Sequence, residues 1–227
     1  MAAVTDDGDL RAADRTELTR LIDEIRVGLS AAHAARELAL PACRRVVRAS
    51  GSSIRAVHRL DHDRAAELAD EAEVALREAQ IAVAGFPAVA QAGFLHDAEK
   101  EYAEARLTAS LVAGHPICGP DALGVDPASW MRGLAEAASE LRRHLLDRLR
   151  EGDLDLGEQL LARMDDVYDA LVVVDVPDAL VVVDVPDALT GGLRRTLDAL
   201  RAVLERTRGD VTTTVLQVRL QRALEAR

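Results

Sequence analysis

The stretch AEKEYAEARLTASL, Ala98–Leu111, has the composition of a helix and carries two carboxylates on its apolar side. At about 100° per residue, Glu101 and Glu104 stand about 60° apart on one face. Glu101 shares that face with Phe94, Ala98, Ala105, Thr108 and Val112, and Glu104 lies beside Leu111. Glu99, Arg106 and Ser110 fall nearly opposite, on what reads as the solvated side. A carboxylate is costly to bury unless it is paired, hydrogen-bonded or bound to a metal. The pair therefore predicts chemistry, and the rest of the chain is read for what faces it.

The surrounding composition is that of an all-α protein. Ala, Leu, Arg, Glu and Asp dominate, 49% of the residues are hydrophobic and 30% charged, and only two Phe, two Tyr and one Trp occur. Ala and straight-chain residues lose least on entering a helix, and 227 residues suffice for one sizeable core. The net charge of −11 excludes a uniformly basic nucleic-acid binder but not a local basic face. Lys100 is the sole lysine. Cys43 and Cys118 have neither metal-ligand nor redox spacing and read as buried thiols of a reducing cytosol, which predicts a cytoplasmic protein. The acidic start MAAVTDDGDLR is not a signal peptide, and no apolar run approaches ~20 residues, so no membrane association is expected.

Residues 1–13 read as a frayed acidic arm and 14–227 as a single helical domain. The first helix is predicted from Asp14 to Leu40, with Leu18, Leu21, Ile22, Ile25 and Leu29 as a buried stripe and Pro41 interrupting it. A further helix is expected over 63–84, ended by Gly85 and Pro87, and the Glu101 helix over 89–113. A Gly- and Pro-rich loop leads to Asp126-Pro127, an N-cap followed by proline at the first helical position. The helix it starts buries Trp130, Leu134, Leu141, Leu145 and Leu149. Another spans about 156–171. DALVVVDVP then occurs twice in tandem, over 169–186, and predicts one copy finishing the helix and one forming a longer loop. Two last helices, 193–208 and 212–226, are expected on either side of an Arg208-Gly209-Asp210 turn.

One segment is strongly basic. In ACRRVVRASGSSIRAVHRLDH, Arg44, Arg48, Arg55, Arg59 and His62 fall within about 60° on a helical wheel, with His58 and Arg45 flanking them. No acid interrupts this face from Ala42 to Leu60. It reads either as a solvated face salt-bridged to nearby acids or as a phosphate-binding surface. Gly51, Ser52 and Ser53 in its middle allow a bend or the close approach of a backbone or phosphate.

Glu136 and Glu140 form a second acidic pair, away from the apolar stripe of their own helix. Alone they read as a solvated face. Turned towards Glu101 and Glu104, they would complete four oxygen donors of the kind that selects Mg²⁺ or Mn²⁺. Such ions activate water and stabilise both oxygens of a phosphoryl displacement. A di-iron site would need Glu-x-x-His on two helices, which neither pair supplies.

Through SIRAVHRLD, KEYAEA, GLAEAASELRRHLLDRLREGD and LRRTLDALRAVLERTRGD, in that order over residues 15–210, the chain resembles translin and translin-associated factor X in the form of their archaeal relatives. The resemblance implies an all-helical protomer of about seven helices, closed into a barrel-like homo-oligomer, hexamer to octamer, around a cavity. It implies binding of single-stranded RNA, or single-stranded DNA, and in the factor-X branch an Mg²⁺-dependent endoribonuclease. That branch has a QEYxEA motif, which lands on Glu101 and Glu104, and a D-L-x-G-E motif, which lands on Glu136 to Glu140. Here Glu136 replaces the Asp and Ser139 the Gly; AASEL is closer to the non-catalytic translin branch. Three readings follow. In the first, a nuclease holds Mg²⁺ or Mn²⁺ on Glu101, Glu104, Glu136 and Glu140, and phosphates on Arg44, Arg45, Arg48, Arg55, His58 and Arg59. The second is a nucleic-acid-binding oligomer without turnover, and the third a structural oligomer with solvent-facing acids.

Overall fold

The computed structural model describes residues 7–175 and 190–225, and these contain helices and connecting turns without strands. Six long helices carry the fold: α1 (Asp7–His58), α2 (His62–Val83), α4 (Phe94–Ala113), α6 (Pro127–Glu151), α7 (Leu154–Asp175) and α8 (Leu193–Glu225). Two single-turn helices, α3 (Pro87–Ala90) and α5 (Pro120–Leu123), lie in the connections. One continuous cluster of buried side chains draws on all six long helices, with α4 packed among α1, α2 and α6. No described helix is long and apolar enough to cross a membrane.

The helices are longer than their sequence signals suggest. The predicted arm is already helical from Asp7, and α1 runs unbroken through Pro41 and the Gly51-Ser52-Ser53 triplet. Pro41 is exposed, and so is Glu37, whose carbonyl loses its amide partner, so water can satisfy it. Ala39, Ala42, Cys43 and Val46 around the proline are buried, and that packing holds the helix through the break. Ser53 is buried, and its hydroxyl donates to the Ala65 carbonyl of α2 at 2.8 Å. The small triplet thus serves close helix packing.

The expected burial of the first stripe does not occur. From Asp14 to Ala34 no side chain of α1 is buried; Leu21 is 42% and Leu29 67% exposed. This half of the helix reaches past the body of the protein. The far end of α8 does the same, with Leu216, Leu220 and Leu224 exposed. The predicted break at Gly209 is absent too. Arg142 of α6 donates to Thr207 Oγ1 at 2.9 Å and Asp210 Oδ2 at 2.8 Å, and Arg208 donates to Asp165 of α7 at 2.8 Å. These bonds on both sides of Gly209 offset the ~1 kcal/mol a mid-helix glycine costs.

Other boundaries fall close to their signals. Asp126 caps α6, its Oδ1 accepting from Ala128 N at 2.9 Å and Ser129 N at 3.2 Å. Gly93 at φ +92° separates α3 from α4, so the Glu101 helix starts later than residue 89. Gly114 ends it in the left-handed region. Helix α7 takes in the first repeat copy as far as Asp175; the rest of the duplication lies outside the described residues. Cys43 is buried as expected, whereas Cys118, on the loop before α5, is exposed.

The contact that decides the site is the crossing of α4 and α6. A Cβ at Gly133 would stand 2.8 Å from the Lys100 carbonyl, 2.9 Å from Ala103 Cβ and 3.0 Å from Glu104 N. Two of these are backbone atoms, which cannot step aside. Gly157 is also crowded, but only by the Leu149 Cδ2 tip at 2.7 Å. Gly133→Ala is expected to lower the urea-unfolding free energy by about 1–3 kcal/mol through overpacking. Gly157→Ala should cost clearly less, because Leu149 can change rotamer.

Candidate metal and nucleic-acid site

The α4–α6 crossing lays the Glu101–Glu104 face against the Glu136 face. One carboxylate oxygen from each of Glu101, Glu104 and Glu136 lies within 4.8 Å of the others. Glu104 is at the back and buried; Glu101 and Glu136 are half-buried at the front. The set is all hard oxygen, which suits Mg²⁺ or Mn²⁺. Modest side-chain rotation closes 4.8 Å to the ~3–4 Å between oxygens around such an ion, so the donors fit a divalent metal.

The fourth predicted member takes another partner. Glu140 Oε2 is 2.6 Å from His58 Nε2 of α1, whose side chain is only 3% exposed. His58 is thus an inner partner of a carboxylate and does not present itself to a ligand at the surface. Glu140 still repels charge on Glu104.

Lys100 is the residue the sequence reading left out. Its Nζ is 2.6 Å from Glu136 Oε2 and 3.0 Å from Glu101 Oε1, and its side chain is 14% exposed. Burial works against its charge, but its bonds to Glu136 and Glu101 outweigh that and raise its pKa above the usual value. The Glu104 pKa is raised too, which for a carboxylate favours the neutral form. Burial, then the charges of Glu136 and Glu101, push its pKa up from 4.5 to about 8, with Lys100 opposing them.

The face opposite the cluster is not solvated as its polar residues suggested. Glu99 is buried, accepts from Gln80 Nε2 at 2.9 Å and from Asp126 N at 3.3 Å, and has its pKa raised by burial. Arg106 donates to Asp70 at 2.7 Å, and to Glu73 and the Tyr102 hydroxyl at 3.0 and 3.1 Å. Both side chains dock α4 onto its neighbours.

Of the predicted phosphate contacts, Arg44, Arg45, Arg48, Arg55 and Arg59 are exposed along α1. Arg45 pairs with Glu78 of α2, and Arg55 donates to Ser52 Oγ at 2.8 Å. Arg44, Arg48 and Arg59 form no ion pair among the described residues. Two arginines nearer the carboxylates went unread. A cleft of about 430 Å³ between α4, α6 and the start of α8 is lined by Lys100, Glu101 and Glu136 together with Arg132 and Arg195. Arg132 pairs with Asp97, which also lines the cleft, at 3.6 Å, while its buried Nε has no hydrogen-bond partner; Arg195 is exposed. The signal for Arg195 was weak, since it reads as one more arginine in Leu193–Arg208.

AfC3PO, a solved structure, is 30% identical to this chain over 86% of it and 97% of that chain, with a TM-score of 0.76. The chain belongs to the translin family. AfC3PO has also been solved as a duplex RNA complex, which superposes on this translin-family chain at a TM-score of 0.75. NeC3PO, in its apo form, shares the fold at 16% identity and a TM-score of 0.71, over 85% of this chain and 96% of its own. The uncharacterized protein MJ0175 of Methanocaldococcus jannaschii is 27% identical over 192 residues, 84% of this chain and 81% of that one. No family model matches.

The raised pKa of Glu104 sets the sign of a pH effect. Between its ordinary 4.5 and about 8, the folded translin-family chain holds a proton that the unfolded chain has released. Without metal, stability therefore falls as pH rises through that window and levels off above it. Urea unfolding in EDTA at pH 5, 6.5 and 8.5 should show this decline, and Glu104→Gln should flatten it. Parallel profiles for the two proteins would contradict the assignment.

Proposed function

We propose that this chain binds RNA as an oligomer of the C3PO type and cleaves it, as a Mg²⁺- or Mn²⁺-dependent endoribonuclease, at the Glu101–Glu104–Glu136 cluster. The observation that carries the reading is the convergence of those three carboxylates within 4.8 Å beside an arginine-lined cleft. A divalent ion bound there would supply Lewis-acid stabilisation of phosphodiester oxygens and a more acidic water. Glu104, buried at the back, and Glu101 and Glu136, at the mouth, are its holders. Glu140, held by His58, lies beside the cluster and can accept a proton or orient water. Arg195 and Arg132 position the phosphate at the cleft, and the α1 arginine row extends the contact along the strand in a sequence-tolerant, salt-sensitive way.

Single-stranded RNA follows from the family resemblance, and the duplex RNA complex of AfC3PO brings double-stranded RNA into the test beside it. The unpartnered stripes at Leu18–Leu29 of α1 and Leu216–Leu224 of α8 support self-assembly, since apolar faces of that length seldom stay in water. Mass in solution of six to eight protomers is the expected result; a monomer would remove the shared cavity. The second reading, a binding module without turnover, is favoured by one observation: Lys100 already neutralises the cluster.

Labelled single-stranded and duplex RNA, incubated with Mg²⁺ or Mn²⁺, should be cleaved, and EDTA should stop it. Glu104→Gln and Glu136→Gln are expected to lower the rate roughly 100-fold or more while leaving binding intact. Binding without cleavage under every metal selects the second reading. Arg195→Ala and Arg48→Ala should each weaken RNA binding and reduce the salt slope by about 1.

A further inference from the structure

We propose that Lys100 is the resident cation of the carboxylate cluster, a built-in competitor that a divalent ion must displace. The inference rests on the metal-binding reading above. Its starting point is a contact across the α4–α6 crossing: Lys100 Nζ and Glu136 Oε2 are 2.6 Å apart, and the same ammonium reaches Glu101 Oε1 at 3.0 Å.

The geometry sets ammonium and metal in competition for the same carboxylates. Two of the three converged carboxylates are the ones Lys100 binds. A divalent ion needs their oxygens at ~2.0–2.1 Å for Mg²⁺ and repels a neighbouring ammonium. Lys100 has somewhere to go. It lines the cleft that opens beside the cluster, and its four-carbon stem can swing the charge into that space. There it adds a positive charge beside Arg195 and the Asp97-paired Arg132, on the side a phosphate would approach. Occupation by metal thus releases a cation towards the substrate side, and the cluster fills only above a threshold of free divalent ion that Lys100 sets.

The test is Mn²⁺ binding to the full chain, read by electron paramagnetic resonance of the free ion, with no RNA present. Lys100→Gln should bind Mn²⁺ roughly 10-fold or more tightly than wild type, and Lys100→Arg, which keeps the charge, should not. Glu104→Gln should abolish binding in both wild-type and Lys100→Gln backgrounds. In EDTA, Lys100→Gln should melt below wild type, and Mn²⁺ should raise its melting temperature by more than it raises that of wild type. Equal affinity of wild type and Lys100→Gln, with Glu104→Gln still abolishing binding, overturns the role of Lys100 and leaves the metal site standing. Absence of Glu104-dependent binding in every protein overturns both. If Lys100→Gln is unfolded without metal, Lys100→Met, which keeps the stem, is measured in the same way. Recovery of helical circular dichroism by either variant on adding Mn²⁺ supports displacement, and failure of both to recover counts against it.

Discussion

Everything at the site depends on the missing side chain of Gly133. Helices α4 and α6 cross so closely there that a Cβ would overlap the α4 backbone. Only this approach lets Glu101 and Glu104, one turn apart on α4, meet Glu136, which is one turn along α6 from the crossing. A wider crossing would leave three separate half-buried acids, each solvated on its own. The close crossing instead gathers negative charge where water is scarce, and two consequences follow from simple electrostatics. Glu104, the most buried, holds on to its proton to about pH 8, and the nearest cation, Lys100, is drawn in between the other two.

How far this was legible in the sequence varies with the kind of signal. The all-α class, the Asp126-Pro127 start of α6 and the apolar-facing position of Glu101 and Glu104 were readable, because each follows from local periodicity or capping chemistry. Helix continuity was misread. Pro41 and Gly209 are local break signals, but Ala39 to Val46 pack through the first and Arg142 and Arg208 brace the second, contacts made by residues distant in sequence. The α1 stripe from Leu18 to Leu29 has the period of a buried face, and periodicity cannot tell burial within a chain from a face left for another. Glu99 and Arg106 were misread for a related reason. A helix packed on several sides, like α4, buries polar side chains wherever Gln80, Glu73 and Asp70 can satisfy them.

The site itself was half legible. Spacing on one helix selected Glu101 and Glu104, but which residues of α6 face them is a matter of crossing geometry, which a wheel does not contain. It brought Glu136 in and left Glu140 to His58. His58 lies about 40° from the arginine row on the wheel, near enough to be grouped with it, yet that angle turns its ring from solvent towards α6. Lys100 precedes Glu101 in sequence and stands out there only as the sole lysine. Its role appears only when Glu136 is placed across from it.

The same bookkeeping of charge explains why the cluster is tolerable in a chain that already carries −11. Three carboxylates in a half-buried site repel one another strongly unless protonated or neutralised. This chain uses both means at once: a proton on Glu104 and the ammonium of Lys100 on the other two. On the metal-binding reading proposed above, the same arrangement opposes a divalent ion, which competes with both the proton and the ammonium. The neutralisation of the cluster therefore turns on one side chain, Lys100, and Glu136 is long enough to reach it.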